Sequence, residues 1–235
     1  MSLLLEVKNL SFNYGKQPIL DDLSFTIEAG TIVGLVAPNG TGKSTLLRNV
    51  TGLLRPKHGT VSLLGHDSWH DRQEFLKHLF FLEDSTRLYE GLNPNELFGY
   101  VKDVWGGQLS VDRVVKVLRM DKYRKKRVAS MSLGMKQHVL LGMYLISGAD
   151  LLLFDEPLNG LDPTSIELFT RVFSQLKGQG KSILMSSHQL GNVTTMADSV
   201  MFLKDAHLQT FQTAAIDLQQ KYDELFAVDE KLLEP

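Results

Sequence analysis

The chain has 235 residues, a formal net charge of −2 and no cysteine. The lack of cysteine excludes disulfides, thiol catalysis and cysteine-based metal sites, and the near-neutral charge gives no electrostatic reason to expect nucleic acid as a partner. No run approaches the roughly 18 apolar residues of a membrane span, and the N-terminus does not resemble a signal peptide. We therefore expect a soluble, intracellular protein that would need another polypeptide to cross a membrane.

The first elements predicted along the chain are short strands at residues 3–7, 23–27 and 60–64, around the turns YGKQP and PKHGT. Their spacing indicates an antiparallel layer. No internal repeat interrupts the chain, so we expect one copy of one folding unit.

A glycine-rich loop follows the apolar run TIVGLV (31–36), which reads as a buried strand. The loop, APNGTGKST (37–45), matches the phosphate-binding pattern G-x-x-x-x-G-K-[ST] except that Ala37 replaces the first glycine. Because Pro38 pushes the residue before it toward extended backbone, we expect Ala37 to be tolerated. The predicted nucleotide-binding residues of this loop are Asn39, Gly40, Thr41, Gly42, Lys43, Ser44 and Thr45.

Helix signals dominate from about residue 85 to 147. Asn93 is a plausible N-cap with Pro94 in the first turn, and the apolar residues of SVDRVVKVL (110–118) share one helical face. These signals predict a helical lobe inserted between strands of the sheet.

Two apolar runs after this lobe, at 151–154 and 182–186, suit buried parallel strands, and the segment between them is helix-like. Right-handed crossovers would place both strands beside the phosphate-loop strand. Ligands of such sheets bind at the carboxyl ends of the strands, where Asp155, Glu156 and His188 should meet Lys43. The sequence thus predicts three segments converging on one phosphate site.

Phosphoryl transfer needs neutralised charge and a positioned nucleophile. Lys43 would contact the outer phosphates of a nucleotide, Ser44 and Asp155 would hold Mg²⁺, and Glu156 would polarise the attacking water. His188, at the end of a third strand, is the second predicted catalytic residue.

Taken together, the motifs over roughly residues 4–207 resemble the ATP-binding subunits of ABC transporters. APNGTGKST is similar to their Walker A segment, LLLFDEP to their Walker B segment with the catalytic glutamate, LNGLDP (158–163) to their D-loop, and SSH (186–188) to their switch histidine. The resemblance implies a RecA-like P-loop NTPase core of α/β class, with an antiparallel β layer and an inserted α-helical lobe.

The segment MSLGMKQH (131–138), called the signature segment below, occupies the place of the family's LSGGQ motif. Leu133 and Met135 depart from that motif, whereas Ser132 and Gly134 remain at a predicted helix N-terminus that favours an anion. The resemblance implies that this segment binds the γ-phosphate of ATP held by a second ATPase subunit. Its form is similar to the exporter branch often called ABC-2 type.

Two further binding residues come from the resemblance. Tyr14 matches the aromatic residue that stacks on adenine, although it could instead pack on its own turn. Asp84, or Glu83 with a shift of one residue, stands where the family's Q-loop glutamine contacts the metal. An acidic side chain there can still accept a hydrogen bond from metal-bound water.

We therefore predict one ABC ATPase domain over residues 1–235, with a core lobe (1–84 plus 148–207), a helical lobe (85–147) and a C-terminal tail (208–235). The predicted function is ATP hydrolysis that drives export through a separate membrane-spanning permease, on the cytoplasmic side of the membrane. The ATPase partner would be a second copy or a related chain. The alternatives are a soluble ABC-type ATPase and a slow nucleotide-gated module that does not act in transport.

Overall fold

The computed structural model describes residues 2–226. Six strands form a sheet in the order β10-β9-β3-β8-β7-β6, and all are parallel except β10. Four strands form an antiparallel sheet in the order β2-β1-β4-β5. The strands are β1 (Leu3–Tyr14), β2 (Gln17–Glu28), β3 (Ile32–Val36), β4 (His58–Leu63), β5 (His66–Asp67), β6 (Leu79–Phe81), β7 (Leu151–Asp155), β8 (Ser182–Ser187), β9 (Ser199–Lys204) and β10 (His207–Gln212).

The helices connect these strands and form most of the lobe between β6 and β7. They are α1 (Lys43–Val50), α2 (Arg72–Lys77), α3 (Pro94–Trp105), α4 (Val111–Val117), α5 (Leu133–Ser147), α6 (Pro163–Gly178), α7 (Leu190–Thr194) and α8 (Leu218–Phe226), with short 3-10 turns at Ser85–Arg87, Val128–Ser130 and Thr213–Ala215. The predicted α/β class, with a parallel sheet, an antiparallel layer and a helical insertion, is confirmed.

The six-stranded sheet separates two apolar clusters, because side chains alternate across a strand. On β3, Val33 and Leu35 pack against the antiparallel sheet and α1, whereas Ile32 and Val36 join the cluster of the helical lobe and α6. Both faces are covered, which explains why β3, β7 and β8 are nearly continuous apolar runs. Because these strands are parallel, their carboxyl ends lie at the same edge of the sheet.

One prediction of neighbours is wrong. The strand at 151–154 does not lie beside β3, because β8 stands between β3 and β7. The other neighbour of β3 is β9, a strand that the sequence analysis did not include. Its apolar residues at 200–203 are all buried, which favours an interior position for β9 beside β3.

The helical lobe begins at the predicted cap. The Asn93 side chain accepts from the backbone N–H of Glu96, and the Glu96 carboxylate accepts from the backbone N–H of Asn93, which is a capping box. Tyr144 of α5 fastens the lobe to the sheet, because its hydroxyl donates to the Leu153 carbonyl and accepts from the Leu82 backbone N–H at 3.1 Å. The lobe therefore has a defined position against β7.

The segment that we separated as a tail is folded as far as Phe226. β10 pairs along its length with β9, and Leu218 of α8 is buried. The ring of Phe226 lies 6.3 Å from that of Phe202 on β9. An edge strand and a short helix need only one neighbour each, so a small segment can be ordered without a core of its own. Residues 227–235 of the predicted tail lie outside the described residues.

Candidate active site

The loop between β3 and α1 surrounds an ammonium group. Lys43 is buried, and its Nζ donates to the carbonyls of Ala37 at 2.7 Å and Pro38 at 3.1 Å. Gly40 and Gly42 have φ of 82° and 107°, which only glycine adopts cheaply. Ala37 is not among the residues with positive φ, so its side chain costs little, as we predicted from Pro38.

The first turn of α1 is open to an anion. Gly42 is the N-cap and offers no side-chain hydrogen bond to the N-terminal amides. Such free N–H groups, together with the helix dipole, favour phosphate oxygens. Burial lowers the pKa of Lys43, while the nearby charges of Glu156 and Asp155 act in the opposite direction.

The end of β7 carries the acidic pair. Ser44 Oγ donates to Asp155 Oδ2 at 2.6 Å, which links α1 to β7. Buried Ser186 of β8 donates to Asp155 Oδ1 and accepts from the Glu156 backbone N–H at 3.0 Å. One hydroxyl therefore holds two successive acidic residues.

Glu156 has an unusual backbone conformation, and the two oxygens of its carboxylate have different surroundings. Its φ is +51°, in the left-handed region that non-glycine residues seldom occupy. Oε2 lies 2.9 Å from His188 Nδ1, and Oε1 lies 3.8 Å from Lys43 Nζ. Within the described part of the chain, Oε1 is buried and has no hydrogen-bond partner. A buried acceptor in that position can bind a further donor, such as a water molecule.

These groups open onto a cavity of about 450 Å³. Tyr14 lies at its rim, 48 % exposed, with its ring 5.0 Å from that of Phe12. Thr41 is not in the lining, and its hydroxyl closes the loop by donating to the Pro38 carbonyl. The lining comprises Tyr14, Ile19, Asn39, Gly40, Gly42, Lys43, Ser44, Thr45, Glu83, Asp84, Asp155 and Glu156.

A family model described as ABC transporter matches residues 20–159, more than half of the chain. The chain belongs to the ABC transporter family. It is an ATP-binding, ATP-hydrolysing subunit of that family, and residues of its Walker A and Walker B segments line the cavity.

Individual relatives agree with this assignment. The lantibiotic transport ATP-binding protein SrtF of Streptococcus pyogenes is 30% identical over 94% of this chain and 92% of its own length. The bacitracin transport ATP-binding protein BcrA of Bacillus licheniformis is 29% identical over 88% and 69%, respectively. A solved structure of the ATP binding subunit of an ABC transporter superposes with a TM-score of 0.87 and 28% identity, covering 94% of this chain and 99% of that one. Within residues 2–226 no helix is both long enough and apolar enough to span a bilayer.

The two acidic residues at the Q-loop position of this ABC subunit are held differently. Asp84 Oδ1 accepts from the Thr86 backbone N–H at 2.6 Å and caps the turn at 85–87. Glu83 pairs with Arg48 of α1 and with Arg87 at 3.2 Å. Both line the cavity, and within residues 2–226 Asp84 has no ion pair to arginine.

The signature segment lies outside the cavity lining. Ser132 is the N-cap of α5 and accepts from the Met135 backbone N–H at 3.4 Å. Ser132 is exposed and Gly134 is half-buried. The structure therefore brings Tyr14, the phosphate loop, Asp84, Asp155, Glu156 and His188 together within one chain, and leaves Ser132 and Gly134 on a separate surface.

Two site residues escaped the sequence analysis. Ser186 was noted only as the first letter of SSH, and its link to both acidic residues depends on β8 lying beside β7. Arg48 is the second: hydrogen bonds from its guanidinium to Glu83, and to the Tyr14 hydroxyl, raise its pKa. Its position one turn after Ser44 on α1 was the available signal.

Proposed function

We propose that ATP binds in the cavity with its adenine stacked on Tyr14 and its outer phosphates held by Lys43 and the N-terminal amides of α1. The loop residues Asn39, Gly40, Thr41, Gly42, Ser44 and Thr45 complete the phosphate cradle. A cavity of about 450 Å³ is within the size range of small-molecule sites. The free amides of α1 and the buried ammonium group support this assignment.

The donor set fits Mg²⁺ bound together with a nucleotide. Within residues 2–226, no group of three or more His, Asp or Glu side chains could hold a metal ion by itself. Mg²⁺ commonly takes one or two protein ligands, with phosphate oxygens and waters for the rest. Ser44 and Asp155 would hold it, with Asp84 reaching it through water. The ion would neutralise charge on the transferred phosphoryl group.

The observation that supports a hydrolytic role is that the two carboxylate oxygens of Glu156 have different surroundings. His188 holds Oε2, while the unpartnered Oε1 faces the region of Lys43. Glu156 would accept a hydrogen bond from the attacking water through Oε1 and orient it toward the terminal phosphate. His188 would keep the carboxylate in that rotamer, and Lys43 would stabilise negative charge that develops on the phosphate.

Transport would involve two further partners, a second ATPase subunit and a membrane-spanning permease. We propose that two ATPase subunits close head to tail on ATP, so that Ser132 and Gly134 of one contact the nucleotide of the other; the second subunit is another copy or a related chain. Closure would drive export through a membrane-spanning permease, which would hold this subunit at the cytoplasmic face. The similarity to SrtF and BcrA, which are ATP-binding proteins of lantibiotic and bacitracin transport, supports export. No nucleic-acid partner is proposed.

The test is the solution mass of Glu156→Gln with and without ATP and Mg²⁺, alongside phosphate release by the wild type. Glu156→Gln should bind ATP, release almost no phosphate and shift from monomer to dimer. Adding Ser132→Arg should abolish the shift without loss of ATP binding, whereas Ser174→Arg, at an exposed position on α6, should not. A Glu156→Gln protein that binds ATP and stays monomeric would contradict pairing of identical copies.

A further inference from the structure

His138 of the signature segment joins three helices. Its Nδ1 lies 3.2 Å from the carbonyl oxygen of Leu118, at the end of α4, and 3.4 Å from the Tyr123 hydroxyl. Its Nε2 lies 3.1 Å from Ser165 Oγ in the first turn of α6. The ring also packs against Phe169 at 5.5 Å. None of these atoms lines the nucleotide cavity.

The partners define the hydrogen positions. Because the Leu118 carbonyl can only accept, Nδ1 must carry a hydrogen. Burial lowers the pKa of His138, against the opposing effects of the Leu118 carbonyl and the Asp162 charge, so the ring is neutral at pH 7. Nε2 is then an acceptor, and it shares the single hydrogen of the Ser165 hydroxyl with Asp162 Oδ2. The Ser165 hydroxyl therefore links α6 to α5.

Ser165 is in turn bound to the D-loop (158–163). Its backbone N–H donates to Asp162 Oδ1 at 2.9 Å, and its Oγ lies 3.0 Å from Asp162 Oδ2. Asp162 is the N-cap of α6. His138 is thus connected to the D-loop through one serine.

A second contact joins the same two segments. Leu133, which replaces a glycine of the family motif, is 52 % exposed, and its Cδ2 lies 2.7 Å from where a Cβ on Gly160 would stand. Gly160 has φ of +73° and belongs to the D-loop. Leu133, the residue that departs from the family motif, therefore packs directly on the D-loop glycine.

The D-loop continues directly from the catalytic turn. The backbone N–H of Asn159 donates to the carbonyl of Glu156 at 3.2 Å. A displacement of the signature helix would consequently be passed through Ser165, or through Leu133, to the turn that places the Glu156 carboxylate. This continuity connects the surface of Ser132 to the hydrolytic group.

We propose that His138 and Ser165, with Leu133 packed on Gly160, are positioning residues that bind the signature helix and the D-loop into one body, so that contact of Ser132 with a partner's nucleotide orients Glu156. This inference rests on the proposed function, because it requires closure of two ATPase subunits. The residues contact neither ATP nor Mg²⁺. Their effect is on the rate at saturating ATP and on closure, and not on nucleotide binding by one subunit.

The experiment uses Ser165→Ala, which removes the hydroxyl and retains the backbone bond that caps α6. Ser165→Thr restores a hydroxyl, and Ser174→Ala removes an exposed serine from the same helix. We expect Ser165→Ala to lower kcat about tenfold, the size of one lost hydrogen bond with an unpaired partner, while KM for ATP stays within about twofold. Ser165→Thr should recover most of kcat, and Ser174→Ala should match the wild type.

The same variants in the Glu156→Gln chain measure closure. Ser165→Ala should raise the ATP concentration needed for dimerisation about tenfold, without changing ATP binding by the monomer. If the Glu156→Gln parent does not dimerise, the pairing of identical copies is contradicted, and the kcat comparison alone decides the positioning link. If the parent dimerises and Ser165→Ala behaves like Ser174→Ala, the positioning link is overturned. A loss of kcat that Ser165→Thr does not recover, or an equal rise in KM, also overturns it.

Discussion

Ser186 illustrates how one buried hydroxyl can organise a catalytic turn. It is fully buried, donates to Asp155 and accepts from the backbone of Glu156. Glu156 has a positive φ that its side chain disfavours, so the turn needs external support. The hydrogen bond from the Glu156 backbone to Ser186 supplies it from the neighbouring strand.

We expect Ser186→Ala to lower the rate of phosphate release about tenfold and to reduce the free energy of unfolding by ~1–3 kcal/mol, since a buried donor and a carboxylate each lose a partner. ATP binding without Mg²⁺ should change little, because the phosphate loop is untouched. Ser147→Ala is the control: this serine is also buried, but its hydroxyl donates to the Tyr144 carbonyl, far along α5. Equal rates for the two variants would refute the role of Ser186.

At the scale of elements, α3 and α5 pack through a glycine. A Cβ added to Gly142 of α5 would stand 2.2 Å from the ring of Phe98, which is completely buried. Around Gly99, in the middle of α3, no atom of the described residues beyond its chain neighbours and the backbone of its own helix would lie within 4 Å of such a Cβ. Both glycines lie in helices, but only Gly142 is in close contact with a side chain of another helix.

Gly142→Ala should therefore lower the free energy of unfolding by ~1–3 kcal/mol through overpacking. Gly99→Ala should raise it by ~0.5–1 kcal/mol, because alanine loses less conformational entropy in a helix. Urea unfolding of both variants measures the difference. A stabilising Gly142→Ala would mean that the lobe repacks freely, contrary to the close fit of these helices.

At the scale of the molecule, Asp150 joins the starts of three neighbouring strands. Its carboxylate binds His78, just before β6, at 2.6 Å and Lys181, just before β8, at 2.9 Å. Burial alone would raise the pKa of Asp150, but hydrogen bonds from Lys181 and His78 outweigh burial and hold it below the ordinary value of 3.8. The sheet edge opposite the active site is thus held by charge.

A depressed folded-state pKa means that this stabilisation is present above the unfolded pKa and is lost as the pH falls through the folded one. The difference in unfolding free energy between the wild type and Asp150→Asn should shrink as the pH falls below about 4, where the carboxylate becomes protonated. Urea unfolding between pH 7 and pH 3 checks this. Asp103→Asn, at an exposed position on α3, should show no such pH-dependent difference; a gap of constant size for Asp150→Asn would count against the ion pairs.

The sequence by itself determined the features that depend on neighbouring residues. Local sterics and local hydrogen bonds account for the strand, glycine loop and helix around Lys43, for the Asn93 cap and for the absence of a positive φ at Ala37. The motif order was sufficient for the family. Only the tertiary structure decided which strands pair. β9 lies beside β3 in the place expected for β7, Ser186 donates to Asp155, and Arg48 pairs with Glu83. These outcomes depend on competition among segments distant in the chain, for burial and for charge, which local patterns do not encode.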